Sequence, residues 1–340
     1  MRTRMTAGAV LVAATALAFG PAAQAAPAKP NAANPLDVQI VTTDGYNSLA
    51  HTIRHGDGSW QSFGRLDGRT GVTALTSTLV NGEENVFFQE SGGPNPPRLT
   101  HLVRHADGTW NLDASVPAWP DGVSSAESLA ATTGQGRLSL VLLQGGVPQL
   151  STLGSDGVWS AWSPVPTGGR WVHRIAATGD SNTTTVVELN MDSQTVTSFV
   201  RGFKDQWSGG SSTPANPNPN AYAVEISAAQ VGADLQVAAI EWEGGFPSVY
   251  HSVKHRDTGW DPFRNLTGAL PAVYGEPLHV AITYYPAPFD DELQLVYTTA
   301  TDGMYHTIRH ANGSWQPLGD VEGAAGNVTA GQVTIAGYTR

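Results

Sequence analysis

A ten-residue stretch that ends in tryptophan occurs six times along this chain at nearly constant spacing. Two copies, HTIRHGDGSW at 51–60 and HTIRHANGSW at 306–315, are almost identical. The intervals between successive tryptophans of the set are 50, 49, 48, 53 and 55 residues. A period of this length predicts an array or propeller built from one repeated unit. The six tryptophans are Trp60, Trp110, Trp159, Trp207, Trp260 and Trp315.

Each unit contains four short strand-forming segments, which is the content of one propeller blade. In the second unit these segments read VTALTSTLV, ENVFFQES, RLTHLVRH and TWNLDASV. No capped segment of about a dozen residues keeps its apolar positions at the helical period of 3.6. The sequence therefore predicts an all-β fold.

The two ends of the repeat region indicate how the array is completed. Residues 36–60 and 316–340 are each 25 residues long, so together they make one period. We expect the C-terminal strand to pair with the three N-terminal strands, which would close the ring and hide both sheet edges. The prediction is a six-bladed β-propeller of four-stranded blades, as a single domain over residues 36–340. Small residues in the first strand of each unit favour crowding near a propeller axis: Ala130, Ala131, Ala176, Ala177, Ala228, Ala229, Ala281, Ala336 and Gly337.

The first 25 residues have the layout of a secretory signal peptide. Arg2 and Arg4 precede an apolar run from Ala7 to Phe19, and small residues end the segment at Ala25. The apolar run is too short to span a bilayer as an anchor. Residues 26–35 are rich in Pro, Ala and Asn and predict a flexible lead-in. We therefore expect a secreted protein whose mature chain begins after Ala25.

The composition of the mature chain argues against several classes of partner. Loss of Arg2 and Arg4 with the signal peptide takes the formal charge from −11 to −13. Nucleic acids and anionic membranes bind clustered Lys and Arg, so neither nucleic-acid binding nor membrane insertion is expected. The chain has no cysteine. Disulfides and thiolate metal sites are therefore excluded, and the fold must be held by core burial and ring closure.

The two histidines of the repeated stretch do not predict a metal site. On a strand, His51 and His55 would lie roughly 13 Å apart, which is too far to bind one ion. The Asp-Gly and Asn-Gly dipeptides that follow favour a type I′ hairpin turn. The tryptophan that ends each stretch is expected to cover the seam between blades, with ligand stacking as the alternative. Four tryptophans outside the repeat position are candidates for a role specific to one unit: Trp119, Trp162, Trp171 and Trp242.

A basic residue occupies one position of the repeat in five of the six units. One interpretation is structural: a cross-strand pair with a carboxylate, or a guanidinium over the neighbouring tryptophan. The other is a set of equivalent pockets between blades, where basic donors, a histidine and an aromatic face bind sugar hydroxyls and the pyranose ring. Both interpretations stay open at this point. The residues are Arg54, Arg104, Arg201, Lys254 and Arg309, with Leu153 in the third unit.

The repeat DGMYHTIRHANGSWQPLGDVEG at 302–323 resembles the blade repeat of bacterial and fungal propeller lectins of the fucose-binding, tachylectin-2 and tectonin types. Those families bind monosaccharides in shallow pockets between blades, without catalysis. The resemblance implies a carbohydrate-binding protein with glycans as partners and with no cofactor or metal. Most units lack the second tryptophan of the lectin blades, and units three and four lack the leading histidine. The ligand-binding residues implied are Arg54, Arg104, Lys254, Arg309, His51, His101, His251, His306, Trp60, Trp110, Trp260 and Trp315.

Two other classes of function stay open. Six-bladed propellers also house sialidases and related glycoside hydrolases, which need two carboxylates converging on one sugar. Carboxylates such as Glu127, Glu188 and Glu225 are available, but the sequence does not pair any two of them. The aspartate of this repeat also lies two residues closer to the tryptophan than in the sialidase Asp box. A protein-binding scaffold of the kelch type is the third class. The repeat itself favours binding over catalysis.

Overall fold

The computed structural model of the protein describes residues 37–66, 69–91, 96–112, 114–190, 192–215, 221–268, 275–286, 291–301 and 303–337. The predicted signal peptide, residues 1–25, and the predicted lead-in, residues 26–35, lie outside the described residues. The regular secondary structure of the described chain is almost wholly β-strand. The all-β prediction is confirmed.

The strands follow one another along the chain with short connections. Among the described residues, one 3-10 turn spans Phe203–Asp205 and one helix, α1, spans Val321–Ala325. The strands are β1 Val38–Thr43, β2 Leu49–Arg54, β3 Gly64–Leu66, β4 Val72–Val80, β5 Glu83–Glu90, β6 Arg98–Arg104, β7 Trp110–Asn111, β8 Ser128–Gly134, β9 Arg137–Gln144, β10 Val147–Thr152, β11 Ser163–Pro164, β12 Val172–Gly179, β13 Thr184–Asn190, β14 Thr195–Arg201, β15 Trp207–Pro214, β16 Tyr222–Val231, β17 Asp234–Glu243, β18 Phe246–His255, β19 Gly259–Trp260, β20 Arg264–Asn265, β21 Pro277–Pro286, β22 Asp291–Thr299, β23 Gly303–Arg309, β24 Gly319–Asp320 and β25 Val333–Ala336.

The strands form six antiparallel sheets, and each sheet is one blade. Blade 1 is built from both ends of the described chain, in the order β25-β1-β2-β3, with Gln39 opposite Ala336 and Thr42 opposite Val333. Blades 2, 3 and 4 are β4–β7, β8–β11 and β12–β15, and blades 5 and 6 are β16–β20 and β21–β24. The predicted six-bladed propeller of four-stranded blades is confirmed.

The hydrophobic core is divided into six layers, one at each seam between neighbouring blades. Between blades 1 and 2, Val41 and Leu49 pack with Val86 and Phe88. Because a blade is covered on both faces, its middle strands are buried almost without interruption. In β9, RLSLVLLQ, only the two end residues are not buried. A blade therefore has no core of its own and depends on both neighbours.

The first strands of the blades, β25, β4, β8, β12, β16 and β21, surround the axis and contact one another in turn. Hydroxyl groups join neighbouring first strands: the Ala131 backbone N–H donates to Thr76 Oγ1 at 2.9 Å, and that of Ile282 donates to Ser227 Oγ at 3.0 Å. The small residues predicted near the axis lie on these strands. Their size lets the strands approach closely enough for these bonds.

The hairpins at the Asp-Gly and Asn-Gly dipeptides differ from the predicted type I′ turn, as the first of them shows. The Gly58 N–H donates to His55 O at 2.9 Å, and within the loop only Gly58 has a positive φ, of 87°. A type I′ turn needs positive φ at both central residues, so this is a type I turn followed by a left-handed glycine. The Asp57 carboxylate accepts bonds from Ser59 N (2.9 Å) and Ser59 Oγ (2.6 Å). The type I′ prediction was wrong because this side chain stabilises a different loop.

Helix α1 lies between β24 and β25 and closes the outer edge of the layer between blades 6 and 1. Asp320 caps it by accepting a hydrogen bond from Gly323 N at 2.9 Å, while Val321 and Ala325 are buried in the layer. In the described part of the chain, no helix is long and apolar enough to cross a membrane.

Candidate functional site

The repeat tryptophans lie at the seams, as predicted. Each is half-buried and packs against the preceding blade. Trp110 of blade 2 lies edge-on to His51 of blade 1, with ring centroids 5.3 Å apart. Trp159 of blade 3 meets Phe87 of blade 2 at 5.8 Å. A tryptophan of one unit therefore completes the packing of the unit before it.

The leading histidines of the repeat lie behind these tryptophans and are only 3–6% exposed. Burial lowers the pKa of His101 to about 4, and burial together with a nearby arginine lowers that of His251 and His306 to about 3. Their ligand-binding role stays a prediction, and in this structure they serve the packing of their own blade. Each Nε2 bonds to an amide oxygen on the adjacent strand: His51 to Gln39 (3.1 Å), His101 to Asn85 (3.0 Å), His251 to Gln236 (2.9 Å) and His306 to Gln294 (2.7 Å).

The second histidine of the repeated stretch is paired with a carboxylate two residues before that amide. Acid-x-amide segments occur in blades 1, 2, 5 and 6, which are the blades that carry both histidines. Sequence reasoning missed this signal, although the two patterns recur together. The Nδ1 contacts are His55 with Asp37 (3.2 Å), His105 with Glu83 (2.7 Å), His255 with Asp234 (2.8 Å) and His310 with Glu292 (2.6 Å).

Arg54 and Arg309 extend from their own blade toward the carboxylate and histidine of the preceding blade. Burial lowers the pKa of both guanidinium groups. The lowering at Arg54 is opposed by groups that include Glu292 of blade 6. The lowering at Arg309 is opposed by Asp234 of blade 5. Among the described residues, none accepts a hydrogen bond from either guanidinium. Each of these two clefts therefore combines uncommitted donors with a carboxylate from the neighbouring blade.

The turn glycine of the same hairpin lies next to each guanidinium. A Cβ added at Gly58 would lie 3.6 Å from Arg54 Nη2, and one added at Gly313 would lie 3.3 Å from Arg309 Nη2. Both glycines also have a positive φ. The positive φ is what requires glycine at this turn, while the added Cβ at Gly58 would meet the arginine only at ordinary contact distance.

The cleft between blades 1 and 2 differs because its arginine is almost fully buried and lies opposite a carboxylate of its own blade. Arg104 is only 3% exposed, and Glu84, which is directly opposite it on β5, is the main group opposing the lowering of its pKa. Glu84 also lies 3.3 Å from His51 across the seam. The equivalent position holds Val38 in blade 1 and leucine in blades 5 and 6. Arg104 is therefore withdrawn from the surface of the cleft, although its Nη1 makes no hydrogen bond to a described residue.

The three remaining seams lack the full set of groups. Lys254 lies 5.9 Å from the centre of the Trp260 ring and donates to Ser198 Oγ at 2.9 Å, without a carboxylate of blade 4. Arg201 donates to Thr152 Oγ1 at 3.1 Å and pairs with Asp205 at 3.1 Å. Between blades 2 and 3, Leu153 takes the basic position. At Arg54 and Arg309 the structure thus combines a half-buried arginine, the tryptophan of the same hairpin and a carboxylate of the preceding blade.

The tryptophans outside the repeat position have separate surroundings. Trp162 packs in the layer between blades 2 and 3, where its Nε1–H donates to Ala118 O at 2.6 Å. Trp242 stacks on Tyr222 at 6.5 Å, and Trp171 is 53% exposed. Trp162 is structural, whereas Trp171 and Tyr222 present aromatic surface at the end of the propeller where the first strands begin.

Comparison with known proteins places the architecture in context. No protein-family model and no curated protein matches the sequence. Among solved structures, a triple arginine mutant of AofleA from Arthrobotrys oligospora has a TM-score of 0.62 at 12% identity, covering 92% of this chain and 88% of that one. A single-residue mutant of the Aleuria aurantia lectin, in complex with alpha-methyl-L-fucoside, has a TM-score of 0.56 at 13% identity, covering 83% and 90%. The chain has the fold of that lectin.

The same fold also occurs in a protein with a different description. A putative 6-phosphogluconolactonase from Bacteroides fragilis has a TM-score of 0.52 at 11% identity, covering 88% of this chain and 98% of that one. The likeness at such identities concerns the fold alone. The predicted resemblance to propeller lectins is confirmed at the level of the fold.

Proposed function

We propose that the protein is a secreted, non-catalytic carbohydrate-binding propeller whose sugar pockets are the clefts at Arg54 and Arg309. The observation that carries this proposal is the pair of half-buried guanidinium groups for which the described residues offer no hydrogen-bond acceptor. A polar group withdrawn from water costs free energy unless it is hydrogen-bonded. Donors held in this state are suited to a ligand rich in acceptors.

The groups around each arginine match the chemistry of a monosaccharide. A guanidinium donates to hydroxyl and ring oxygens, while Glu292 or Asp234 can accept from another hydroxyl. Trp60 lies opposite Arg54, and Trp315 lies opposite Arg309, in an antiparallel pair across the hairpin. Their half-buried rings supply a flat apolar surface for the sugar. Two such clefts on one ring would bind a multivalent glycan more tightly than either alone.

The same clefts argue against catalysis. Hydrolysis of a glycoside needs one carboxyl group as acid and a second as base or nucleophile. At Arg54, Glu292 is engaged with His310 at 2.6 Å, and Asp57 is engaged with Ser59. Hydrogen bonding to Ser59 lowers the pKa of Asp57, so this group stays ionised and is a poor acid. These carboxylates are suited to holding a hydroxyl.

Arginine variants in a glycan array and in calorimetry test the proposal. We expect Arg54→Ala and Arg309→Ala each to remove one sugar site, and the double variant to abolish binding. Loss of a hydrogen bond from a charged donor corresponds to about a tenfold to hundredfold loss of affinity at the affected site. Arg201→Ala is the matched control, because Arg201 has the same repeat position but is bonded to Thr152 and Asp205.

Three results would contradict the proposal. Turnover of any chromogenic glycoside would show catalysis. No binding to any glycan, with a folded protein, would favour a protein partner instead. Undiminished sugar binding by the double variant would remove the clefts as the site. Secretion is checked separately: mass spectrometry of protein from the medium of a secreting host should show a chain that begins at Ala26.

A further inference from the structure

A second site lies on the propeller axis. The first strands of all six blades enclose a cavity of about 200 Å³ at the end where these strands begin. Drug-sized ligands occupy pockets of roughly 300–1,000 Å³, so this cavity suits one smaller molecule. It shares no residue with the clefts at Arg54 and Arg309.

One position of the repeat breaks the pattern at this cavity. The residue after it is aliphatic in every blade, as in Ile175 and Val280, which keeps the strands equivalent. The position itself holds a chemically different residue each time, although repeat architecture gives no reason for such variety. From blade 1 to blade 6 the residues are Gln332, Ala74, Ser128, Arg174, Glu225 and His279.

A β-bulge precedes this position in most of the blades. The register shifts immediately before it in four blades, with one extra residue at Thr73, His173, Val224 and Leu278. Bulges re-aim the neighbouring side chain and are frequent next to functional sites. In blades 4, 5 and 6 a bulge therefore directly precedes Arg174, Glu225 and His279, which line the cavity.

Glu225 and His279 form an oriented pair in this lining. Glu225 Oε2 lies 2.8 Å from His279 Nδ1, and Glu225 Oε1 accepts from Val280 N at 2.9 Å. Burial lowers the pKa of His279, but the charge and hydrogen bond of Glu225 outweigh it, so the net pKa is raised despite the opposing charge of Arg174. Among the described residues, His279 Nε2 has no partner. In its protonated form the imidazole therefore offers its Nε2–H as one oriented donor.

Arg174 and Glu127 complete the polar set. Arg174 Nη1 donates to His173 O at 2.9 Å, and its other donors have no acceptor among the described residues. Glu127 Oε1 accepts from Gly145 N at 2.9 Å, which leaves its second oxygen as an acceptor. The cavity therefore holds two cationic donor groups next to a carboxylate and the Ser128 hydroxyl.

We propose that this axial cavity binds a carboxylated monosaccharide, with its carboxylate held by Arg174 and His279 and its hydroxyls by Glu127 and Ser128. A guanidinium matches a carboxylate in bidentate geometry, and an imidazolium adds a second charge-assisted bond. The Glu127 carboxylate accepts hydrogen bonds from hydroxyl groups. A sugar acid has such hydroxyls, whereas acetate has none. The ligand class follows from the presence of both kinds of partner in one small cavity.

Two exposed aromatic rings near the cavity bear on whether the bound sugar acid is a free molecule or the end of a glycan chain. Trp171 and Tyr222 are 53% and 51% exposed and lie three residues before Arg174 and Glu225. Three strand residues span about 10 Å, so these rings stand where a sugar next to the bound acid would lie. The acid could be free or could end a glycan chain, and the experiment separates the two.

The test is calorimetric titration of the full chain with glucuronate, using glucose and acetate as control ligands. We expect one glucuronate site per chain, and at least tenfold weaker binding of both control ligands. Arg174→Gln should weaken glucuronate binding at least tenfold. Arg174→Lys, which keeps the charge but not the bidentate geometry, should weaken it about tenfold. The Arg54→Ala and Arg309→Ala double variant should bind glucuronate normally, which separates this site from the clefts.

Several outcomes would overturn the proposal. The first is that glucuronate binds no more tightly than acetate or glucose. The second is unchanged glucuronate affinity in a folded Arg174→Gln or Arg174→Lys protein. The third is loss of glucuronate binding in the Arg54→Ala and Arg309→Ala double variant. A disaccharide with a terminal glucuronate supplies the last comparison. Tighter binding than free glucuronate supports a chain-terminal ligand, equal binding supports a free sugar acid, and both agree with the cavity chemistry.

Discussion

The indole of Trp60 in blade 1 lies edge-on to the imidazole of His306 in blade 6, with ring centroids 5.5 Å apart and planes at 81°. The imidazole is held in turn by Gln294 at 2.7 Å. Trp315 and His251 repeat the relationship at 5.2 Å and 84°. A seam is therefore formed by the tryptophan of one unit and the histidine–amide pair of the unit before it.

We expect Trp315→Ala to lower the free energy of unfolding by about 2–3 kcal/mol, because it removes a half-buried ring from the layer between blades 5 and 6. Urea denaturation followed by circular dichroism measures the change. Phe203→Ala is the control, since Phe203 is 82% exposed and its loss should cost less than about 0.5 kcal/mol. Equal effects of the two substitutions would contradict a structural role of the tryptophan.

Acid should destabilise the protein through its buried histidines. The pKa of His251 is lowered to about 3 by burial and by Arg309, whereas the unfolded chain has the ordinary value near 6.5. Between these pH values the unfolded chain binds more protons, so the free energy of unfolding falls as the pH falls. From pH 7 to 5 we expect a loss of about 2 kcal/mol from this residue. In urea denaturation, the free energy of unfolding of His251→Gln should fall by about 2 kcal/mol less than that of the wild type between pH 7 and pH 5. Equal falls in the two proteins would contradict the role of His251.

Glu188 should act in the opposite direction. This residue is fully buried on β13, and burial raises its pKa to about 8, against a partly compensating effect of Arg170. The stability that it contributes is present below pH 4.5 and is lost as the pH rises toward 8. Glu188→Gln should therefore be more stable than the wild type at pH 8, by on the order of 3 kcal/mol, and about equal at pH 4.5. Thermal unfolding at both pH values checks this, with the exposed Glu276→Gln as a control that should change neither.

A new sugar pocket should arise from a single substitution between blades 2 and 3. Glu83 and His105 already form the carboxylate–histidine pair there at 2.7 Å, but Leu153 replaces the arginine of the repeat. Leu153 pairs with Trp159 just as Arg54 pairs with Trp60. If the clefts bind sugar as proposed, Leu153→Arg should raise the calorimetric stoichiometry from two sites to three. An unchanged stoichiometry in a folded variant would show that these groups are not sufficient.

The fold was predictable because it depends on features that recur. The tryptophan period, the four strands in each unit and the small residues near the axis all repeat, and each has one structural explanation. Arg54 and Arg309 were found in the same way. Their partners Glu292 and Asp234 were missed, because strand pairing within a blade and packing across a seam bring them together, and neither follows from the spacing of one motif.

The axial residues were missed for the opposite reason. Alignment of the units shows what is common to them, whereas Arg174, Glu225 and His279 differ between units. Their convergence depends on the ring and on the bulges that precede them, which no local pattern predicts. The turn type was also mispredicted, because the Asp57 side chain rather than the backbone preference of Asp-Gly determines the loop.

The clefts at Arg54 and Arg309 are each formed by two neighbouring units. The arginine and tryptophan belong to one unit, and the carboxylate and histidine belong to its predecessor, so a single unit carries two unlike halves and no complete site. Six units in a ring offer six such junctions, whereas the same units in an open row would offer one fewer. Duplication of a unit can therefore add a binding site only where the copied neighbours carry complementary halves, and a substitution in one unit can silence a site that is completed by another.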